Sequence, residues 1–130
     1  MIFVDTGAWY ASIVVDEPHH HDVAAWIALN AEPLLTTDFC LAETLNLLVA
    51  RRLPMLASSF AKSLFERTLC DLHFVTEEEL ARAIPVFQIK CYAGWSFTDC
   101  ISKTVIDALE IRTAIALDDH FRQFGIKVVP

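Results

Sequence analysis

Glycine is scarce in this chain, three among 130 residues, and prolines number only five. Long irregular loops are therefore excluded, because these two residues are the main punctuation of such segments. Cations are also few: ten Lys and Arg against seventeen Asp and Glu leave a formal charge of −7. That deficit argues against an extended electrostatic track for a long nucleic acid, which needs many cations on phosphates. It does not exclude chemistry on a phosphodiester, since acids gathered at one site are neutralised by bound cations. It also leaves room for a basic protein partner.

No pair of cysteines has CxxC or zinc spacing. Cys40, Cys70, Cys91 and Cys100 each lie in an apolar context and read as buried free thiols. No apolar run reaches transmembrane length, so no membrane association is expected. The start has no basic leader and Asp5 interrupts its apolar run, so a reducing, cytoplasmic setting is the expectation. What is present is 55% apolar and 21% charged residues, the balance of a folded protein, and residues 1–130 fit a single domain.

The apolar run Met1–Val4 ends at Asp5 and reads as a buried parallel strand. Thr6-Gly7 is expected to turn the chain, residues 8–15 to form a short helix, and Pro18 to open a helix over 19–30. Residues 34–37 read as a second strand. Asp38 is the expected cap of the next helix, whose apolar period is Leu41, Leu45, Leu48 and Val49. Pro54 introduces a helix over 55–69, and residues 72–75 read as a third strand. Thr76 to Glu79 forms a capping box for a helix reaching 91. Gly94 breaks the chain before a helix over 96–109. A fourth strand over 114–117, a short helix near 120–124 and a last strand over 127–129 complete the chain. This alternation predicts an α/β/α sandwich on a mainly parallel sheet of four or five strands with right-handed crossovers. Ligands of such sheets bind beyond the carboxyl ends of the strands, where Asp5 and Asp118 fall.

Four acids compete with local structural roles. Asp5 either caps the helix after its strand or opens a site. Glu43 either favours the dipole of an otherwise apolar helix or faces that site. Asp99 follows Ser96 by three residues, the spacing of a capping box, and the two roles are compatible. Asp118 either starts a turn or contributes a ligand. Strand ends and helix starts are compatible with convergence at one rim of the sheet. Crowded carboxylates repel and take up protons unless a hard cation such as Mg2+ or Mn2+ joins them.

The opening MIFVDTGAWYA, TTDFCLAETLNLL, WSFTDCISKTVI and AIALDDHFRQFGIKVV together resemble the four motifs of the PIN-domain nucleases. The likeness is strongest to the VapC-type toxins of bacterial toxin–antitoxin pairs and spans essentially the whole chain. It implies Asp5, Glu43, Asp99 and Asp118 as metal-holding acids, the Asp-x-His-Phe pattern favouring Asp118 over Asp119. It also implies a parallel sheet of order 3-2-1-4-5 and Mg2+- or Mn2+-dependent endoribonuclease activity. A homodimer and a small antitoxin partner come with the same likeness. RNA-maturation enzymes share the family, so that role stays open beside the toxin role.

Thr6 and Ser102 are candidates to orient a ligand or water, Ser102 sharing a helical face with Asp99. Lys103, His120 and Arg122 are candidate substrate contacts, each with an ordinary surface or turn role as its alternative. His19-His20-His21 reads as an exposed helix start, since consecutive helical residues point in different directions. A phosphatase resembling the haloacid dehalogenases would carry a second Asp two residues after Asp5, where Gly7 stands. A phospho-receiver would carry its acidic pair on an earlier strand than Asp118-Asp119. A non-enzymatic binding module on the same fold would not need four acids.

Overall fold

The computed structural model describes residues 1–130. Five strands, β1 (Ile2–Val4), β2 (Leu34–Thr37), β3 (Asp71–His73), β4 (Thr113–Ile115) and β5 (Lys127–Val129), form one sheet of order β3-β2-β1-β4-β5. Every neighbouring pair is parallel. Six helices connect them: α1 (Thr6–Ile13), α2 (His20–Leu29), α3 (Asp38–Ala50), α4 (Pro54–Phe65), α5 (Glu77–Lys90) and α6 (Phe97–Ala108). Two 3-10 segments, Cys91–Ala93 and Asp119–Phe124, complete the chain. The α/β/α sandwich and the order 3-2-1-4-5 are those expected.

The central strand is apolar throughout because both its faces are covered. Ile2 and Val4 pack into a core with Trp9, Val23, Leu48, Phe60 and Leu64. Phe3, between them, points to the opposite core with Ala83, Ile101, Val105 and Phe121. Burying one such side chain contributes about 1.5–3 kcal/mol. The polar Thr36 is tolerated in β2 because its hydroxyl donates to the Val4 carbonyl at 2.7 Å.

Several boundaries differ from expectation, each for a local reason. α1 starts at Thr6, so Thr6-Gly7 is its first turn and not a separate one. Pro18 precedes α2 and lies outside it. Thr37, not Asp38, caps α3, its hydroxyl accepting from the Cys40 amide. Asp38 instead accepts from the Val75 amide at 3.0 Å, which bends the chain away after His73 and ends β3 early. α4 stops at Phe65 because Arg67 takes a left-handed conformation (φ 58°) and the Thr68 amide turns back to the Ser63 carbonyl. β4 ends at Ile115, the last residue paired with both Val4 and Val129. Ala116 and Leu117 therefore carry the chain past the sheet edge to Asp118. Gly94, at φ 87°, makes the left-handed turn that brings the chain from α5 to the start of α6.

Candidate metal centre

The parallel sheet sends β1 and β4 to the same rim, and each delivers an acid there. Asp5 leaves β1 directly and is 4% exposed. Its backbone takes the N-cap position of α1, yet its carboxylate makes no capping bond. The side-chain donor to Asp5 is the Cys40 thiol, at a long 3.7 Å. Burial pushes Asp5 up to about 7 from an ordinary 3.8; the Thr6 amide opposes the rise, and the charges of Asp99, Glu43 and Asp118 add to it. The three acids acting on Asp5 are thus the other three sequence candidates.

Asp99 lies on the first turn of α6 and is 6% exposed. The capping box is formed: the Asp99 amide donates to Ser96 Oγ at 3.0 Å, and the Ser96 amide donates to Asp99 Oδ2 at 2.9 Å. Asp118 caps the 3-10 segment after β4, its Oδ1 accepting from the His120 amide at 2.9 Å. The His120 ring joins the two acids, with Nδ1 3.0 Å from Asp99 Oδ2 and 3.1 Å from Asp118 Oδ1. One ligand atom from each of Asp99, Asp118 and His120 fits within a 4.8 Å span, a grouping able to hold a metal ion. Glu43 is exposed on α3, lining an open groove of about 420 Å³ with Asp38, Phe39, Ala42, Asn46 and Thr98.

Beneath the acids the chain is polar where a simple core would be apolar. Thr6 is buried and its hydroxyl has no hydrogen-bond partner. Ser102 is fully buried, its Oγ 3.7 Å from the Cys40 sulfur. Burial, with the charge of Asp5, pushes the Cys40 thiol up to about 12, so it stays a neutral donor. Cys40 reads in sequence as a plain buried thiol. The available signal is its place three residues before Glu43, on the inner face of the same helix. Trp95, stacked on His120 at 5.5 Å, also carried no sequence signal beyond preceding the Ser96 cap.

The expected substrate contacts divide. His120 lies at the acids. Lys103 is drawn away to Asp107 at 2.9 Å, with its ammonium over the Phe124 ring. Arg122 is mostly exposed, 3.8 Å from Asp119. The histidine run places His20 on the Ala11 carbonyl at 2.7 Å, joining α1 and α2, while His19 and His21 face solvent.

A crowded set of oxygen donors, one of them deeply desolvated, suits a hard divalent cation. The orphaned Thr6 hydroxyl beside them leaves a donor for a water or an ion-bound ligand. Fold and site together define an α/β/α protein with a candidate cation centre beyond its strand ends. The chain belongs to the PIN-domain family, whose model matches residues 2–127. Among solved structures it is similar to Mycobacterium tuberculosis VapC20, described as a sarcin-ricin loop cleaving toxin, with a TM-score of 0.91. The two share 27% identity, and the match covers 100% of each chain. No curated protein matches. This PIN/VapC-like fold and its candidate metal cluster support a hydrolytic nuclease activity.

Proposed function

We propose that the protein is a divalent-metal-dependent endoribonuclease that hydrolyses RNA phosphodiester bonds, acting as the toxin of a toxin–antitoxin pair. The observation that carries this reading is Asp5: a carboxylate withdrawn from water with three further carboxylates acting on it. Such a set is unfavourable on its own and becomes favourable around a cation. Asp5 and Asp99 are the main anchors, and Glu43 and Asp118 complete the set directly or through water. When bound, Mg2+ or Mn2+ activates water and offsets charge on phosphoryl oxygens.

The protein's own contribution is placement. The Ser96 amide and His120 hold Asp99, the Cys40 thiol and Ser102 support the floor under Asp5, and exposed Glu43 faces the groove through which substrate enters. Thr6 is proposed to orient a ligand water. Arg122, exposed and weakly paired, remains available to a phosphate, whereas Lys103 would first have to leave Asp107. The few cations favour recognition of a local RNA segment over a long track. Exposed Leu29, Met55, Phe65, Ile89 and Tyr92 offer apolar surface for a second copy and for an antitoxin. No helix is long and apolar enough to cross a membrane.

The test incubates purified protein with total RNA and with an isolated sarcin-ricin loop, the substrate named for the similar toxin. Mg2+, Mn2+ and EDTA form separate arms, and new 5′ ends are mapped. Specific cuts that vanish with EDTA and in Asp99→Asn are expected. Cuts unaffected by both changes would place the chemistry elsewhere.

A further inference from the structure

The imidazole between Asp99 and Asp118 occupies a position that a surface turn does not require. We propose that His120 is a positioning residue: a hydrogen-bond clamp, braced by Trp95, that sets which carboxylate oxygens of Asp99 and Asp118 face the cation. This rests on the reading above that these acids hold a divalent ion, and it assigns His120 a role through the acids and not as a ligand or substrate contact.

Nδ1 lies 3.0 Å from one carboxylate oxygen and 3.1 Å from another. A ring nitrogen presenting its lone pair to both would be repelled by both, so Nδ1 carries the hydrogen; it donates to Asp99 Oδ2, with Asp118 Oδ1 close beside it. Each clamped oxygen also accepts a backbone amide: Asp99 Oδ2 from Ser96 at 2.9 Å, and Asp118 Oδ1 from His120 itself at 2.9 Å. Two donors thus occupy Asp99 Oδ2, and the His120 amide occupies Asp118 Oδ1 with the ring nitrogen beside it. Asp99 Oδ1 and Asp118 Oδ2 are the oxygens left uncommitted.

The ring is itself held. It stacks on Trp95 with centroids 5.5 Å apart and planes at 26°. Trp95 is buried, packs on Phe124 at 5.1 Å and carries the Lys90 ammonium over its ring at 5.1 Å. Trp95 directly precedes the Ser96 cap. One short segment, 95–99, therefore supplies the brace, the cap and the first acid, while 118–120 supplies the second acid and the clamp. The imidazole ties the start of α6 to the chain leaving β4, two elements that no sheet hydrogen bond joins.

The clamp and ligand roles differ in which atom matters. An Asn amide nitrogen sits close to the place of Nδ1 and donates as it does, whereas Gln reaches toward the Nε2 position. Mn2+ binding is measured by calorimetry on the full chain for wild type, His120→Ala, His120→Asn, His120→Gln and Trp95→Leu, with circular dichroism as the fold control. Ala and Gln are expected to weaken Mn2+ by about 10–100-fold, with Asn recovering most of the loss and Trp95→Leu showing a smaller loss. Pulsed electron resonance of Mn2+ on the wild type is expected to show no directly coordinated nitrogen. Raising Mn2+ is expected to restore RNA cleavage by His120→Ala. A bound nitrogen, or equal Mn2+ affinity in His120→Ala and wild type while Asp99→Asn loses the ion, overturns the clamp alone. Wild type that binds no Mn2+ overturns the clamp and the metal reading together. Should His120→Ala not fold, the Asn–Gln contrast and the resonance spectrum decide.

Discussion

Asp5 shows how one residue links stability to the proposed chemistry. Its folded value of about 7 lies above the ordinary 3.8. The sign follows: the contribution of Asp5 to stability is fully present below about 4 and is lost as pH rises toward 7. The loss is on the order of 4 kcal/mol for the metal-free protein. Asp5→Asn, neutral at every pH, is expected to remove this decline, so that in EDTA at pH 8 the variant melts above wild type. Thermal melts from pH 4 to 8 check it; an identical pH dependence in the two proteins would contradict it. Asp99→Asn separates charge from shape, because its amide oxygen still accepts from the Ser96 amide. It is expected to fold normally and to lose on the order of 100-fold in cleavage, about 3 kcal/mol of transition-state stabilisation. Single-turnover cleavage at saturating Mn2+ measures that loss.

At the scale of elements, caps decide where the acids stand. Thr37 starts α3 and so sets the phase that places Cys40 inward and Glu43 outward. The box at Thr76 starts α5 and continues into a side-chain pair. Glu79 Oε1 accepts from the Thr76 amide at 2.9 Å and lies 2.8 Å from His73 Nε2. Burial pushes Glu79 up, but the Thr76 amide and then His73 outweigh it and hold its carboxyl below the usual 4.5. A depressed carboxyl stabilises above its unfolded value, and that contribution is lost as pH falls through the folded value. Glu79→Gln is therefore expected to cost about 1–2 kcal/mol at pH 7, with the gap from wild type narrowing as pH falls below the usual 4.5. Urea melts at pH 7 and through a series descending below the usual 4.5 test it, and a constant gap would be evidence against the pair. The helical periods and both boxes were legible in the sequence because they are local. The ends of β3 and β4 were not, since each is set by a distant partner: Val75 on Asp38, and Ile115 against Val4 and Val129; α4 ends locally, where non-glycine Arg67 turns left-handed.

For the whole molecule, the acidic excess and the buried acids act together. Mn2+ is expected to raise the melting temperature more at pH 8 than at pH 5, because Asp5 must ionise before it can hold a cation. EDTA is expected to reverse the gain, and scanning calorimetry follows both. With ten Lys and Arg against seventeen acids, few phosphates are neutralised on binding. The metal-inactive Asp99→Asn protein is expected to bind single-stranded RNA with a log–log salt slope no steeper than about −3, or roughly four phosphate contacts. Fluorescence anisotropy across a salt series measures it. A slope near −7 would instead require an extended cationic surface.

The sequence by itself determined the class of the molecule. Apolar strands alternating with helices admit few arrangements, and a central strand without polar positions requires cover on both faces, hence a parallel sheet between two helical layers. It also identified the four candidate acids, because strand ends and helix starts are visible as local pattern. Only the tertiary structure decided what surrounds them. Asp5 and Cys40 are 35 residues apart, Cys40 and Ser102 are 62 apart, and Asp99 and His120 are 21 apart. The bonds between them exist only because the sheet order 3-2-1-4-5 brings β1, β4 and the starts of α3 and α6 to one rim. Local propensity has no range over such separations. The burial that lifts Asp5, the thiol beneath it and the imidazole tying two acids together are therefore properties of the packed molecule, and no single segment contains them.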